Sequence, residues 1–212
     1  MTVAIRQPRK RADGNGRSRA RMTYREFLAH DFPHPHFEWV DGRAIEMPAV
    51  EDVDNQLVVW LSLLLGNYFE ETGAGQLRLE PFQMRLQKAR SGRAPDIQVI
   101  LKANLNRVTR VYTDGPADLV IEVTSAGSRT TDRRDKFKEY EKGGVREYWI
   151  LDPLRKHAEF FHLIDGTFVP AELTDDDRYV SLVLPKLWIN VSWLWSSPRP
   201  TVKSILARWG LK

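Results

Sequence analysis

The spacing of apolar residues changes between residues 70 and 76, and this change strongly limits the possible folds. Over residues 53–70, apolar side chains recur every three or four positions, as on a helix with a wide apolar face. They are Leu57, Trp60, Leu61, Leu64, Leu65 and Tyr68, with Val58 and Leu63 beside them. The pattern predicts a long, largely buried helix that ends at the glycines of residues 73–75.

Beyond this helix the apolar residues follow strand-like patterns. Residues 76–86 alternate between apolar and polar side chains, which predicts a strand, and residues 96–101 and 118–124 are short runs rich in Val and Ile. Residues 130–142 return to a helical pattern, and residues 147–151 form another strand-like run. This order predicts one α/β (α+β) domain with a central mixed β-sheet flanked by helices.

Turn and cap signals fill in the remaining segments. Asp41-Gly42 and Asp165-Gly166 each lie between two strand-like runs, which predicts two hairpins. The Thr-x-x-Glu pattern at residues 23–26 is typical of a capping box and predicts a short helix. Residues 193–212 contain three tryptophans, and we expect this extension to pack back on the domain through a short helix near residues 202–209.

The positive charge of the chain is concentrated in its first 21 residues. Seven Arg and Lys residues against one Asp give this segment a formal charge of +6, so residues 22–212 carry −2 of the chain's net +4. The composition predicts a disordered basic arm at residues 1–21, followed by one domain at residues 22–212. Arg9, Lys10 and Arg11 are the candidate nucleic-acid contacts, although a solvated tail explains the same residues.

Composition argues against several functional classes. No apolar run reaches the roughly 18 residues that a membrane span needs, and the basic N-terminus lacks the apolar stretch of a secretory signal. The chain has no cysteine, so disulfides and thiolate sites are impossible. No glycine-rich phosphate loop is present, and we expect no nucleotide cofactor. A cytoplasmic protein without membrane contact is the expectation.

Two acids adjoin the predicted strands. Glu122 comes near the end of the apolar run at residues 118–124, and Asp96 begins the run at residues 96–101. An ionised carboxylate at such a place requires water or a cation. Because Mg²⁺ prefers hard oxygen ligands and binds few protein carboxylates, these two acids could converge on one magnesium or manganese ion.

The following helix adds a third element. Asp132, Lys136 and Tyr140 are spaced four residues apart and therefore share one helix face. If this face covers the end of the Glu122 strand, Lys136 could reach a scissile phosphate or the attacking water. An exposed helix with an ordinary Asp132–Lys136 pair is the alternative explanation.

Together these motifs resemble the Uma-type family of restriction endonucleases, in the PD-(D/E)xK nuclease superfamily. The resemblance spans roughly residues 23–210 and rests on the order and spacing of six motifs. They are Phe37-Glu38-Trp39-Val40-Asp41-Gly42-Arg43, Pro95-Asp96, Glu122-Val123-Thr124-Ser125, the set Asp132, Lys136 and Tyr140, Gly144-Val145-Arg146-Glu147-Tyr148-Trp149, and Trp193-Leu194-Trp195.

The resemblance implies a restriction-endonuclease-like core with Asp96 and Glu122 as metal ligands. The superfamily's usual lysine position is occupied by Thr124, and Lys136 matches a lysine that has moved to the next helix. An N-terminal acid often completes such sites, and Glu38 is the first candidate, with Glu80 and Glu46 behind it. The family often has a histidine at the start of its long helix, where this chain has Asn55-Gln56.

The first functional hypothesis is a metal-dependent endonuclease that hydrolyses DNA phosphodiester bonds, with a homodimer if both strands are cut. Lys136 would orient the attacking water, Asp132 would orient Lys136 or fix the helix start, and Tyr140 would contact the phosphate or support the lysine. Lys136→Ala is then expected to abolish cleavage and leave the fold intact.

Two alternatives remain open at the level of sequence. A non-catalytic nucleic-acid-binding or assembly module could keep the same fold, and the site could serve another phosphate-containing ligand. His34 and His36 are close enough to suggest a zinc site, but the sequence offers no third ligand near them.

Overall fold

A computed structural model describes residues 21–47, 51–124 and 131–211. The helices are α1 (Tyr24–Leu28), α2 (Asp52–Thr72), α3 (Phe137–Gly143) and α4 (Val202–Arg208). The strands are β1 (Phe37–Val40), β2 (Arg43–Glu46), β3 (Gly75–Leu79), β4 (Gln83–Leu86), β5 (Ser91–Arg93), β6 (Ile97–Leu101), β7 (Tyr112–Asp114), β8 (Leu119–Val123), β9 (Glu147–Asp152), β10 (His157–Ile164), β11 (Thr167–Pro170), β12 (Arg178–Val180) and β13 (Trp188–Asn190). Two 3₁₀ helices (Lys102–Arg107 and Val191–Leu194) and a π-helical segment (Thr131–Lys136) complete these elements.

A six-stranded mixed sheet with the order β11-β10-β9-β8-β6-β3 forms the centre of the domain. Strands β8 and β9 run parallel, and the other neighbours are antiparallel. The mixed central sheet predicted from the sequence is therefore confirmed. The antiparallel register of β6 and β8 pairs Ile97 with Ile121, so the residues just outside this pair, Asp96 and Glu122, come opposite each other.

A second, five-stranded sheet with the order β2-β1-β5-β4-β7 was not predicted. The single strand expected at residues 76–86 is wrong, because β3 ends at Leu79 and joins the central sheet while β4 starts at Gln83 in the second sheet. Pro81 has no N–H to donate to a strand ladder, and Phe82 N–H instead donates to Leu79 O in a turn. The chain thus changes sheets at residues 80–82.

The two faces of the central sheet are covered by different elements. On one face, α2 and α4 pack over β6, β8 and β9 in the larger apolar core. On the other face, β4 of the second sheet and α3 enclose a smaller core. Strand alternation therefore sends Ile121 into the first core and Val120 into the second. In the part of the chain that the structure describes, no helix is both long enough and apolar enough to span a membrane.

The predicted local signals recur in the structure. Asp41 and Gly42 have φ angles of 46° and 83°, and Asp165 and Gly166 have 49° and 84°, as two-residue hairpin turns require. The capping box of α1 is formed. The C-terminal extension packs on the domain, since Trp209 is buried. These three predictions are confirmed.

Candidate active site

Lys136, Glu122 and Tyr140 form a buried hydrogen-bonded cluster between β8 and α3. Lys136 Nζ lies 2.9 Å from Glu122 Oε2, and the Tyr140 hydroxyl donates to Glu122 Oε1 over 2.6 Å. All three residues are at most 3% exposed. The strand end thus presents a carboxylate that is held at both oxygens by the facing helix.

Local sequence explains why the helix lies so close. Lys136 and Tyr140 are one helical turn apart and reach the same carboxylate. Gly143 ends α3 against Leu86 of β4, and a Cβ at Gly143 would lie 2.8 Å from a Leu86 methyl carbon. A side chain at this position would require the Leu86 side chain to move, so glycine permits the close approach of α3 to β4.

The cluster continues into an ionic network with Glu38, Arg93 and Glu139. Arg93 Nη1 donates to Glu38 Oε2 over 2.7 Å, and Arg93 binds the Glu139 carboxylate through both Nε and Nη2, at 2.7 and 2.6 Å. Lys136 Nζ lies 3.7 Å from Glu38 Oε1. Lys136 therefore stands between two buried carboxylates, one from β8 and one from β1.

The network fixes the protonation of its members. Burial raises the pKa of Glu38, but the charges of Lys136 and Arg93 and the hydrogen bonds from Arg93 and Ala94 N–H outweigh it and leave this pKa below its ordinary 4.5. Burial, together with the Glu122 charge, raises the pKa of Tyr140 well above 10. Glu38 is therefore ionised near neutral pH, and Tyr140 keeps its proton and acts as a donor.

Sequence reasoning missed Arg93 and Glu139. Arg93 lies in the three-residue strand β5, which carries no apolar alternation, and Glu139 has the ordinary pattern of an exposed helical acid. The available signal was their nearness in the chain to predicted site residues. Arg93 comes three residues before Asp96, and Glu139 comes three residues after Lys136. Only the meeting of β1, β5 and α3 shows that the two side chains belong to the site.

Asp96 lies on the edge of this cluster and faces a cavity. Its Oδ2 accepts the Val123 N–H over 2.6 Å, which ties the start of β6 to the end of β8. Asp96 is half-buried, whereas Glu122 is buried. The two predicted acids are thus brought to neighbouring strand ends, and Asp96 is the one that lines open space.

The cavity has a volume of about 780 Å³ and lies between α2, β3 and the start of β6. Its lining residues are His36, Glu51, Asp52, Asn55, Val58, Val59, Ser62, Leu63, Leu79, Glu80 and Asp96. Glu80 Oε1 lies 3.1 Å from His36 Nδ1. Glu80, the second candidate for the N-terminal acid, therefore faces the cavity, whereas Glu38, the first candidate, is fully buried and bound to Arg93.

The donor set fits a hard divalent cation. Among the described residues, the network contains the carboxyl groups of Glu38, Glu122 and Glu139 and the cationic side chains of Arg93 and Lys136. The Asp96 carboxyl group lies at the neighbouring strand end. Within the described residues there is no ready group of three His, Asp or Glu side chains for a metal. Mg²⁺ takes one or two protein carboxylates and completes its shell with water, and Asp96 and Glu122 would supply two carboxylates.

Other predicted site residues fall elsewhere. The side chain of Asp132 and the arm residues Arg9, Lys10 and Arg11 lie outside the described residues. Glu46, the third candidate acid, pairs with His34 Nε2 at 3.0 Å.

Comparison with protein families gives a match to the model described as "Uma2: Putative restriction endonuclease" over residues 23–192. The chain belongs to the Uma2 family. The family identified from the sequence motifs is thereby confirmed, and the match includes Glu38, Asp96, Glu122 and Lys136.

A solved structure shares the fold. The crystal structure of "a putative nuclease belonging to DUF820 from Anabaena variabilis" superposes with a TM-score of 0.68, covering 82% of this chain and 97% of that chain at 17% sequence identity. Comparison with curated proteins finds no match. The Uma2 chain therefore has a nuclease-like fold with a mixed sheet flanked by helices.

Proposed function

We propose that this chain is a metal-dependent endonuclease that hydrolyses DNA phosphodiester bonds. One observation carries the proposal: Asp96 lines a cavity of about 780 Å³ directly beside the buried Glu122–Lys136–Tyr140 cluster. The Uma2 family membership and the nuclease-like fold support a nucleic acid as the substrate class.

Each residue has a role that its contacts support. Asp96 and Glu122 would hold a magnesium or manganese ion, which when bound polarises a phosphate oxygen and acidifies a water. Tyr140 donates to one Glu122 oxygen and Lys136 to the other, so the carboxyl group is held in a fixed orientation. Lys136 also contributes positive charge beside the position where negative charge develops on the phosphate.

The proposal is tested with supercoiled plasmid and a single-stranded oligonucleotide, each incubated with Mg²⁺ or Mn²⁺. Asp96→Asn is the variant of choice, because Asn keeps an oxygen for the Val123 N–H and removes the charge. We expect it to lower cleavage at least about 100-fold, or about 2.7 kcal/mol of transition-state stabilisation. Asp114→Asn, at a partly exposed Asp of β7, is the matched control and should cleave normally.

A second candidate function is a nucleic-acid-binding module without catalysis. The burial of Glu122 and Lys136 favours it, because such an ionic network can stabilise the fold without any metal. A folded wild-type protein that binds DNA equally well in EDTA and cuts neither substrate with either metal would establish this second function and refute the first.

A further inference from the structure

The cavity beside Asp96 has one wall made of exposed aliphatic side chains. Val59 and Leu63 of α2 are 51% and 55% exposed, and Leu79 of β3 is 41% exposed. Val58 also lines this wall. Val59 and Leu63 are one helical turn apart, and they line the same cavity as Leu79. We term these exposed aliphatic side chains the apolar wall.

The fold itself does not require this surface. The buried side of α2 packs its leucines into the larger core through Leu57, Leu61, Leu64 and Leu65, all of them fully buried. Val59 and Leu63 point away from that core and remain more than half exposed. Contiguous apolar side chains in a concave site indicate a bound partner more often than chance exposure does.

The cavity is also acidic. Glu51, Asp52, Glu80 and Asp96 line the cavity, and its lining contains no Lys or Arg from the described part of the chain.

A ligand for this cavity needs an apolar part and a group that approaches carboxylates through a cation. An unpaired nucleotide has both, since its base is flat and apolar on each face and its phosphodiester binds divalent metal. In a duplex these faces are hidden by base stacking, and only a base taken out of the stack can present one. The cavity volume is within the range of about 300–1,000 Å³ that is usual for small-ligand sites.

We propose that the apolar wall binds an unpaired nucleobase of single-stranded DNA, next to the phosphodiester that lies at Asp96. This inference rests on the proposed nuclease function and adds its substrate class. Single-stranded or locally opened DNA is then the preferred substrate, and intact duplex is a poor one.

The test measures binding by fluorescence anisotropy of a labelled single strand of about 12 nucleotides, and of the same sequence as a duplex, in Ca²⁺ and in EDTA. Leu63→Ala and Leu79→Ala each remove half-exposed apolar surface from a different element. Each is expected to weaken single-strand binding about five-fold. Leu154→Ala, at a leucine in the β9–β10 turn that is 51% exposed and does not line the cavity, is the matched control and should leave binding unchanged.

The outcomes separate this inference from the nuclease proposal. Tighter binding of the single strand than of the duplex, weakened in both cavity variants and unchanged in the control, supports the apolar wall as a base site. Preference for duplex, or unchanged binding in both cavity variants, overturns it even if plasmid cleavage is observed. A dimer in light scattering that Leu63→Ala converts to monomer also overturns it. Failure to cut any DNA, by contrast, overturns the nuclease proposal itself.

Discussion

Removing the Lys136 and Glu122 charges together is expected to cost less folding stability than the sum of the two separate removals. Lys136 Nζ and Glu122 Oε2 are 2.9 Å apart, and their side chains are 3% and 4% exposed. Lys136→Met removes the positive charge beside the buried Glu122 carboxyl group. It also removes the positive charge that lies 3.7 Å from Glu38 Oε1. The sequence-based expectation that Lys136→Ala leaves the fold intact therefore needs revision, because this lysine is structural as well as a candidate for catalysis.

The magnitude follows from the geometry. At an effective dielectric constant of about 20, the attraction between unit charges 2.9 Å apart is about 6 kcal/mol, and the cost of removing both charges from water offsets part of it. Breaking a buried pair by removing one partner typically costs about 3–5 kcal/mol. We therefore expect about 3–5 kcal/mol for Lys136→Met. The double variant with Glu122→Gln should cost at least about 2 kcal/mol less than the sum of the single variants.

Urea unfolding followed by circular dichroism at neutral pH measures the four free energies of this cycle. Lys138→Met, at an exposed lysine two positions away, is the matched control and should lie within about 0.5 kcal/mol of wild type. Additivity of Lys136→Met and Glu122→Gln within about 0.5 kcal/mol would refute the reasoning, because it would show that the two charges are not coupled in the folded protein.

Three further predictions concern neighbouring groups. Tyr140→Phe removes the 2.6 Å hydrogen bond to Glu122 and should lower the free energy of unfolding by about 1–3 kcal/mol in urea titrations; an unchanged midpoint would contradict it. The lowered pKa of Glu38 stabilises the protein above pH 4.5, and this contribution is lost as the pH falls further, so wild type should lose stability more steeply below pH 4.5 than Glu38→Gln in parallel acid titrations. Glu147 is fully buried and accepts bonds from Trp149 Nε1, the Tyr179 and Ser181 hydroxyls and Val183 N–H. Glu147→Gln places an amide donor against these donors and should cost about 1–3 kcal/mol in thermal or urea unfolding while DNA cleavage by the folded protein stays near wild type.

Local patterns in the sequence were sufficient to predict a long helix, two hairpin turns and a helix cap. The apolar spacing predicted α2, the Asp-Gly turns predicted two hairpins, and the Thr23–Glu26 pattern predicted the cap of α1. The same patterns failed at residues 76–86, where alternation continues across Pro81 although the strand does not. They also gave no signal for β5 and β7, which are only three residues long.

The sequence by itself determined the family, the mixed sheet and the candidates Asp96, Glu122 and Lys136, because motif order and side-chain periodicity are properties of the chain alone. Only the tertiary structure decided what these residues contact. It placed Glu38 beside Arg93 inside the protein, brought Glu80 and Asp96 to one cavity, and left Leu63 exposed on its rim. The physical reason is that burial, charge pairing and concavity arise between segments far apart in the chain, and no local window of sequence contains both partners of such a contact.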